Sequence, residues 1–545
     1  MLNRPPTGPS FVPLPRDVRD AINSSASMQL DNIGKQRTKE IRPGTELRIT
    51  VAPDDDLYLR AHSRIPDTFA TAEIFGMELV MGHEYKVQRG TSIAIFSWHG
   101  CTIEMRGPTL IEYDASNHVM RDYVNLAAVI EQKRQRAEEQ EGQQAMAPRV
   151  LVTGSSNSGK STLALFLTNY ALRKHRRPIF VELDPGSLSA HRQLPAVPGT
   201  VTAIHLDHSA YELNQEPIHP QRLNLHKGID QGVAAAHLNL NYPIGKAISF
   251  WFGYEDWREE PALYWKCAAQ LSCLVLAREE VSEKSGSVVQ QVDGAKLENP
   301  AKGGIIVNAP KDATPQLLDE IIKLFKINTV AVIDDESIYT HLIDKWCPGG
   351  VPAAGSLQEE ETDAASSGKN ALIFLDQVEQ TADNDDQEND KTIEVVHLAK
   401  AGAVIAVQSE EDRNRLSHMK FADYFHGPDR DLVCHNFALP FRELFIGKVV
   451  LGSQEGASSS WRSKFTIAPF QDFPGRLRHS VLAVALAPSH QDVVMATITG
   501  LVWIREVTDP EDPLNAQLHI MCPSSGPLVS NYLLHGDLDR LKYYE

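Results

Sequence analysis

A glycine-rich loop between a strand-like and a helix-like segment constrains this sequence more than any other feature. The loop spans residues 154–161 and reads GSSNSGKS, which matches the pattern Gly-x4-Gly-Lys-Ser. The apolar run 149–153 precedes it, and apolar residues at helical spacing follow from Leu163. In the order strand, loop, helix, backbone N–H groups and a helix N-terminus converge on phosphate oxygens. The segment therefore predicts a binding site for a nucleoside triphosphate, either ATP or GTP.

Each residue type in the loop has a physical task. Gly154 and Gly159 allow the backbone to curl around the phosphates, because glycine has no Cβ to oppose the turn. We expect Lys160 to reach the β- and γ-phosphates, and the Ser161 hydroxyl to ligate Mg²⁺. Thr162 follows directly and is close enough to assist.

A carboxylate follows the next strand-like segment. Residues 179–183 form an apolar run that ends at Asp184. The carboxyl ends of strands in open α/β sheets present ligand-binding groups, so Asp184 could hold Mg²⁺ or accept a proton from a hydroxyl nucleophile. The alternative is a solvated carboxylate in an Asp-Pro-Gly turn.

Three tryptophans after the first strand–helix units allow two interpretations. Trp251, Trp257 and Trp265 lie near one another in sequence. They could stack on a nucleobase, or they could fill a hydrophobic core.

The pattern along the 545 residues predicts several domains, because one hydrophobic core stops growing well below this length. We expect a loosely ordered arm at 1–40 and a β-sandwich or barrel with a linker helix at 41–145. Alternating strands and helices predict an α/β domain with a parallel sheet at 146–433. Within it, 352–391 is acidic and polar, typical of a solvated insertion. Residues 434–545 form a smaller third domain.

Charge and composition exclude some classes of function. The formal charge of −18 gives no basis for general nucleic-acid binding, so any RNA contact must be local. The sequence contains no apolar run of about 18 residues that could cross a membrane. Six scattered cysteines do not suggest a disulfide framework, which favours a reduced compartment, the cytosol or the nucleus.

Motifs outside the loop carry a family resemblance over nearly the whole chain. They read AEIFGMEL at 72–79, FSWHGC at 96–101, RPIFVELD at 177–184 and YFHG at 424–427. With these motifs the chain resembles the Clp family of polynucleotide 5′-hydroxyl kinases and mRNA cleavage and polyadenylation factor subunits. The resemblance implies an N-terminal β-sandwich, a central P-loop kinase-like α/β domain and a C-terminal α/β domain. It also implies a nuclear complex that cuts pre-mRNA before polyadenylation.

The resemblance extends to individual residues. Glu46 matches a glutamate that contacts the nucleotide, and residues 157–162, from Asn157 and Ser158 to Thr162, match the phosphate-binding stretch. Ser92 stands where animal members have a nucleotide-contacting lysine. The implied ligands are ATP and Mg²⁺. The implied partners are other subunits of the factor, including a scaffold subunit that reads the polymerase C-terminal tail.

Three departures fall on the substrate side of the family pattern. The turn after Asp184 ends in Ser187 where active kinases have glutamine, and strand residues 307–311 lack the tryptophan that stacks on the substrate base. In the lid, Arg413 is matched but Ser417 replaces a second arginine. Arg415 could substitute only in a different register. These departures favour structural binding of ATP.

The alternative is an active RNA 5′-hydroxyl kinase. In that interpretation Asp184 deprotonates the hydroxyl, and Lys160 and Arg413 stabilise the transferring phosphoryl group. Ser161 and Asp184 would hold Mg²⁺.

Overall fold

The protein is described by a computed structural model with two compact units. The described residues are 36–52, 55–64, 69–115, 119–139, 146–187, 197–206, 247–285, 291–292, 295–296, 303–347, 393–400, 410–427, 433–452, 465–523 and 528–544. One unit holds those up to 118, apart from the turn at 75–77, and the other holds those from 119 onward. Most of the expected arm and all of the acidic insertion at 352–391 lie outside the described residues.

The first unit is an antiparallel β-sandwich, as predicted. One sheet has the strand order β1-β8-β3-β6 and the other has the order β5-β4-β7-β2-β9. Residues alternate between buried and partly exposed along β3 and β8, which is the pattern of strands with one face on a core. The strands are β1 (Gln36–Ile41), β2 (Thr45–Val51), β3 (Leu57–His62), β4 (Glu73–Ile74), β5 (Met77–Glu78), β6 (Glu84–Val87), β7 (Ser92–Ser97), β8 (Cys101–Arg106) and β9 (Thr109–Ala115).

The sandwich begins earlier than residue 41. Strand β1 starts at Gln36 and pairs antiparallel with β8 over its whole length, from Gln36 opposite Arg106 to Ile41 opposite Cys101. Most of β1 is polar, so its alternation is hard to detect in sequence, and pairing with β8 supplies the order. Residues 36–40 therefore belong to the sandwich and not to the arm.

The second unit contains the central α/β domain. Its seven-stranded sheet has the order β13-β12-β11-β16-β10-β17-β18. The five strands from β11 to β18 are mutually parallel, and β12 and β13 extend one edge antiparallel. The strands are β10 (Arg149–Gly154), β11 (Ile179–Glu182), β12 (Thr200–His205), β13 (Ile248–Trp251), β16 (Ile305–Asn308), β17 (Thr329–Ile333) and β18 (Glu394–Leu398), and a separate small pair is β14 (Gln291–Val292) and β15 (Ala295–Lys296).

In the described part of the chain, six helices accompany this sheet. They are α1 (Met120–Glu139), α2 (Lys160–Arg173), α3 (Pro261–Ser285), α4 (Pro315–Phe325), α5 (Glu336–Trp346) and α6 (Glu410–His426). Helix α1, expected as a linker, belongs to this unit. Arg134 donates to the Gly303 carbonyl at 2.9 Å, and Arg176 pairs with Glu131 at 2.7 Å. These long-range polar contacts fix α1 against the α/β domain.

The C-terminal part of the same unit is a second seven-stranded sheet, of order β19-β24-β23-β22-β25-β20-β21. It is antiparallel except where β20 runs parallel to β25. Its described residues form strands and short 3-10 turns, so the sheet makes up this domain. The strands are β19 (His435–Pro440), β20 (Phe445–Leu451), β21 (Phe465–Pro469), β22 (Val481–Ala485), β23 (Ile498–Thr508), β24 (Gln517–Cys522) and β25 (Tyr532–Leu534).

The two sheets of the second unit share one hydrophobic core. The core joins Tyr264 of α3 and Phe325 of α4 with Phe421 and Phe425 of α6 and Trp503 of β23, all fully buried. A buried hydrogen bond adds a directional link. The backbone N–H of Leu501 donates to the Tyr424 hydroxyl at 2.8 Å. The helix that ends in the motif at 424–427 is thereby fixed to the C-terminal sheet.

Among the described residues, no helix combines the length and the apolar character needed to span a membrane.

Replacement of Tyr424 by Phe should destabilise the second unit by about 1–3 kcal/mol, because the buried N–H of Leu501 loses its acceptor. The measurement is the midpoint of thermal unfolding. Tyr339→Phe, at a half-buried position on α5, is the matched control and should change the midpoint much less. Equal effects of the two substitutions would contradict the assigned role.

Candidate functional site

Four adjacent parallel strands end at one edge of the central sheet and carry the candidate site. In spatial order they are β11, β16, β10 and β17. Asp184 follows β11, Asn308 ends β16, the glycine loop follows β10, and Asp335 follows β17. The carboxyl ends of strands are where open α/β sheets bind ligands. Residues that are far apart in sequence thereby meet around the loop.

The loop has the backbone geometry that its glycines predict. Gly154 has φ = 143°, and a Cβ there would lie 2.2 Å from the carbonyl oxygen of Ile333 on β17. Gly159 has φ = 100° and is the N-cap residue of α2. Asn157 also has positive φ, at 57°, a conformation that asparagine tolerates better than most residues. The chain can therefore turn sharply from β10 into α2 only with these residue types.

Lys160 lies across the loop at the first position of α2. Its ammonium donates to the carbonyls of Gly154 at 3.1 Å and Ser155 at 2.8 Å. Burial lowers the pKa of Lys160, and nearby carboxylates oppose that shift. These carboxylates are Asp184, Asp312, Glu182 and Asp335. A buried cation thus sits where the loop would cradle phosphates, surrounded by acidic side chains.

A buried amide links Ser161 to the neighbouring strand. The Asn308 side-chain nitrogen donates to the Ser161 hydroxyl at 3.1 Å and to both carboxylate oxygens of Glu182 at 2.9 Å. Burial, reinforced by the charge of Asp184, raises the pKa of Glu182 to about 8. The network therefore connects the predicted magnesium ligand to a carboxyl group that holds a proton near neutral pH.

Asp184 belongs to this site and is half-buried, which argues against a solvated turn. Its Oδ1 accepts from the Gly186 N–H at 3.1 Å. The buried Tyr264 hydroxyl donates to the carbonyl of Leu183 at 2.9 Å and fixes the end of the strand. Burial raises the pKa of Asp184, and the positive charges of Lys311 and Lys160 oppose the shift. The carboxylate thus interacts with two lysines.

Two buried polar atoms indicate that the site residues fit a nucleotide with a hydrated cation. The Ser158 hydroxyl and the Asn308 side-chain oxygen are buried and have no hydrogen-bond partner among the described residues. Phosphate oxygens and metal-bound water supply the partners that such groups need. Ser161 and Asp184 offer oxygen ligands, which Mg²⁺ prefers. No group of three or more His, Cys, Asp or Glu side chains in the described part is arranged to hold a metal ion.

The remaining predicted residues lie in different environments. Thr162 follows Ser161 in the first turn of α2 and is partly exposed. Glu46 is buried in β2 of the sandwich, and its carboxylate is bound by Arg48. Ser92, in β7, lies 3.1 Å from the Thr50 hydroxyl. The contacts of Glu46 and Thr162 with a nucleotide stay predictions.

The lid residues lie on α6. The Ser417 hydroxyl donates to Glu255 at 3.1 Å, so this position carries a hydrogen bond and no positive charge. Arg415 is exposed. Arg413 lies within α6, but its side chain is outside the described residues, and its catalytic role stays a prediction.

The three tryptophans serve the core. Trp251 and Trp257 are buried in the core of the second unit, and Trp265 packs against it. The Trp257 indole donates to the Lys311 carbonyl at 3.1 Å, which fixes the turn after β16. The structure therefore favours the interpretation that they fill the core over base stacking.

Comparisons with known proteins agree with this geometry. A family model described as the N-terminal beta-sandwich domain of polyadenylation factor matches residues 40–137, and one described as the mRNA cleavage and polyadenylation factor CLP1 P-loop matches residues 154–230. The chain is similar to the Clp1 family in both of these segments.

Curated relatives match most of the chain. The protein CLP1 homolog of Nematostella vectensis is 26% identical over 92% of this chain and 95% of its own length. The polyribonucleotide 5′-hydroxyl-kinase Clp1 of Homo sapiens is 24% identical over 92% of this chain and 96% of its own. The solved wild-type Clp1p–Pcf11p complex has a chain with TM-score 0.64 and 19% identity, covering 94% of this chain and 99% of that one. The structural likeness supports the fold.

Sequence reasoning missed several residues of this site. Glu182, Asn308, Lys311 and Asp335 were not predicted, because their importance depends on which strands are neighbours. Of these residues, only Glu182 carried a signal in the sequence, because it lies two residues before Asp184 in the motif at 177–184. Successive side chains of a strand point to opposite faces, so a residue near the end of this strand could have been expected to point toward the loop.

The raised pKa of Glu182 predicts a pH-dependent effect of Glu182→Gln. In the unfolded state Glu182 releases its proton above the ordinary pKa of 4.5, whereas in the folded state it keeps the proton up to about pH 8. The contribution of Glu182 to wild-type stability therefore falls between about pH 4.5 and 8. The loss is at most about 1.4 kcal/mol for each pH unit. Glutamine mimics the protonated group and avoids this loss.

Without nucleotide and with EDTA, the unfolding midpoint of Glu182→Gln relative to wild type should therefore be higher at pH 8 than at pH 5. Thermal unfolding followed by circular dichroism at the two pH values is the measurement. A difference that does not change with pH would show that Glu182 is ionised throughout.

Proposed function

We propose that this chain is an ATP-binding component of the pre-mRNA cleavage and polyadenylation machinery. In this role it is required for endonucleolytic cleavage during polyadenylation-dependent mRNA 3′-end formation, and it acts in the nucleus. The descriptions of both matching family models and the whole-length likeness to Clp1 relatives support the proposal. A structurally similar Clp1p–Pcf11p complex is described in terms of ATP loss in a point mutant, which favours ATP as the nucleotide.

The proposed partners are other subunits of the same factor. One of them is a scaffold subunit that reads the polymerase C-terminal tail. Support comes from the solved chains of similar fold, which are Clp1p in complex with Pcf11p.

Different site residues would bind different parts of ATP. The N–H groups of the curled loop and the N-terminus of α2 would surround the phosphates. Lys160 would exchange its bonds to the loop carbonyls for bonds to the β- and γ-phosphates. Ser161, oriented by Asn308, and Asp184 would hold Mg²⁺, which supplies positive charge between the phosphates and the carboxylates.

The residues beside Asp184 favour structural binding over phosphoryl transfer, and Lys311 is the decisive observation. Lys311 occupies the segment in which active family kinases carry the base-stacking tryptophan. Its backbone N–H and its ammonium both interact with the Asp184 carboxylate. Its ammonium also lies 3.9 Å from Asp256. An ion-paired lysine thus occupies the position of the tryptophan ring on which the nucleobase of an RNA acceptor would stack.

The other two departures act in the same direction. Ser417 has its hydroxyl bound to Glu255 and brings no charge to the transferring phosphoryl group. Ser187 is buried, and its backbone N–H donates to the Asp184 carbonyl at 3.1 Å. A lid arginine can be worth ~10³-fold or more in rate, so the loss of the second one, together with the other two departures, outweighs an intact loop.

One observation favours the alternative, an active polynucleotide 5′-hydroxyl kinase that phosphorylates RNA 5′ ends with ATP. Asp184 interacts with Lys160, and burial raises its pKa toward the range useful for a general base. In this alternative Asp184 removes the hydroxyl proton, and Lys160 and Arg413 stabilise the transferring group.

Lys160→Ala should release the nucleotide and destabilise the protein. At a ligand concentration 1,000 times the dissociation constant, bound ATP adds about 4 kcal/mol to stability. Wild-type protein should therefore retain ATP through purification and unfold at higher temperature than the variant. The measurements are nucleotide content by anion-exchange chromatography and thermal unfolding.

Lys323→Ala, on the exposed face of α4, is the matched control and should retain ATP. A wild-type protein that purifies without nucleotide, and whose stability added ATP does not change, would contradict the structural role.

Incubation with γ-labelled ATP and an RNA oligonucleotide bearing a 5′-hydroxyl separates the two functions. We expect no transfer of label that depends on Lys160, because the acceptor side of Asp184 is occupied by Lys311. The readout is labelled RNA resolved on a denaturing gel, with Lys160→Ala in parallel. Transfer that disappears in that variant would establish the kinase instead.

A further inference from the structure

Lys311 is held in a fixed place beside the nucleotide site by both polar groups of its backbone. It lies three residues after Asn308, the last residue of β16. The indole of Trp257, which is buried, donates to the Lys311 carbonyl at 3.1 Å. The Lys311 N–H donates to the Asp184 carboxylate. The backbone is therefore fixed from two sides, and the lysine side chain starts from a defined point at the end of the sheet.

The ammonium of Lys311 lies against the turn that carries Asp184. Its Nζ is 3.3 Å from the point at which a Cβ would stand on Gly186. The carbonyl oxygen of Glu255 is 2.1 Å from the same point. Because glycine has no Cβ, the cation and the backbone of Glu255 both approach this turn closely. A side chain at position 186 would displace one or both of them.

Asp256 forms an ion pair with Lys311, but its carboxylate is bound more closely by a different cation. The Lys311 ammonium is 3.9 Å from Asp256, which is longer than a hydrogen bond. Arg258 binds the same carboxylate through two side-chain nitrogens, at 2.9 and 2.6 Å. Asp256 therefore has a nearer partner, and the charge of Lys311 stays available to the other carboxylates around it.

Asp184 is the carboxylate of the nucleotide site on which Lys311 acts. Of the two lysine charges that oppose the raised pKa of Asp184, that of Lys311 has the larger effect and that of Lys160 the smaller. Lys311 also acts on Glu255. One carboxylate of the proposed metal site thus has a positive charge beside it that belongs to the protein, on a side chain only partly exposed to water.

A fixed ammonium and a bound metal ion meet the same electrostatic need in such a site. A polyphosphate next to Asp184 is repelled unless positive charge is close to both. A divalent ion is often the largest local charge in a phosphate site. Lysine is a compact point charge, and here it supplies one unit of positive charge to a carboxylate that a metal ion would otherwise neutralise. Phosphoryl transfer needs metal ions to neutralise developing charge, whereas retention of a nucleotide needs only the balance of charge.

We propose that Lys311 is a built-in counter-cation of the nucleotide site, which substitutes for part of the charge of Mg²⁺ beside Asp184 and lets the chain retain ATP when Mg²⁺ is removed. The proposal rests on the ATP-binding function proposed above and specifies the metal dependence of that binding. Lys311 is a positioning residue in this role, because it acts on ATP through Asp184.

The test compares the affinity for ATP in excess Mg²⁺ and in excess EDTA, measured on the full-length chain by equilibrium dialysis with labelled ATP. For wild type we expect removal of Mg²⁺ to weaken binding by less than about tenfold, because the ammonium keeps part of the positive charge. Lys311→Met removes the charge and keeps a side chain of similar length. Its affinity should fall at least about tenfold further than that of wild type when Mg²⁺ is removed, since one charge a few ångströms away in a partly buried site is worth that factor or more.

The ratio of the two affinities is the readout, because a loosened fold weakens ATP binding in Mg²⁺ and in EDTA alike. Lys311→Arg keeps the positive charge and should keep the wild-type ratio. Lys323→Met makes the same chemical change at an exposed position of α4 and should keep the ratio as well. If Lys311→Met does not fold, the ratio measured on wild type decides, since a small ratio is expected only when the protein itself supplies the charge.

A wild-type affinity that falls more than about tenfold in EDTA would overturn the proposal. Equal ratios for wild type and Lys311→Met would overturn it as well, and would leave Lys311 the role of balancing the acidic residues at 255–256. In both cases ATP binding in Mg²⁺ would still support the proposed function. Absence of ATP binding in Mg²⁺ would contradict the proposed function and this inference together.

Discussion

The balance of charge around the Lys160 ammonium is the constraint on which the rest of the site depends. One buried cation faces four carboxylates, from Glu182, Asp184, Asp312 and Asp335. Negative charge of this density cannot accept a polyphosphate without further cations, since like charges in a poorly hydrated site repel strongly. In the proposed function a divalent metal ion would supply part of that charge. The proton on Glu182 and the ammonium of Lys311 reduce the remainder.

This balance of charge explains how a complete phosphate loop can belong to a site that binds a nucleotide without transferring its phosphate. Phosphoryl transfer needs preorganised groups aimed at the negative charge that develops as the bond breaks. In the proposed function the acceptor side carries Lys311, which is ion-paired, and Ser417, which is hydrogen-bonded. The phosphate loop and Arg413 are kept, and three substrate-side groups of the active family kinases are replaced. Binding and turnover are therefore separable properties of the same loop.

The loop was predictable from sequence because its demands are local. Positive φ at Gly154 and Gly159 and a lysine at a fixed position leave little freedom in sequence. The β-sandwich and the parallel strands were predictable from periodicity. The bond from Asn308 to Glu182 was not, because it depends on β11 and β16 being neighbours although more than 100 residues separate them. Strand β1 was missed for a related reason, since its order comes from pairing with β8 and not from its own composition.

The common core of the α/β domain and the C-terminal sheet has a consequence for the abundance of the protein in the cell. Residues as distant in sequence as Tyr264 and Trp503 are buried in one continuous cluster. Structures that share a core tend to open together, so damage to either sheet exposes both. A destabilising mutation at the phosphate loop would then lead to degradation of the whole subunit in the cell. Assemblies that contain the subunit would become less abundant before any step of their chemistry failed.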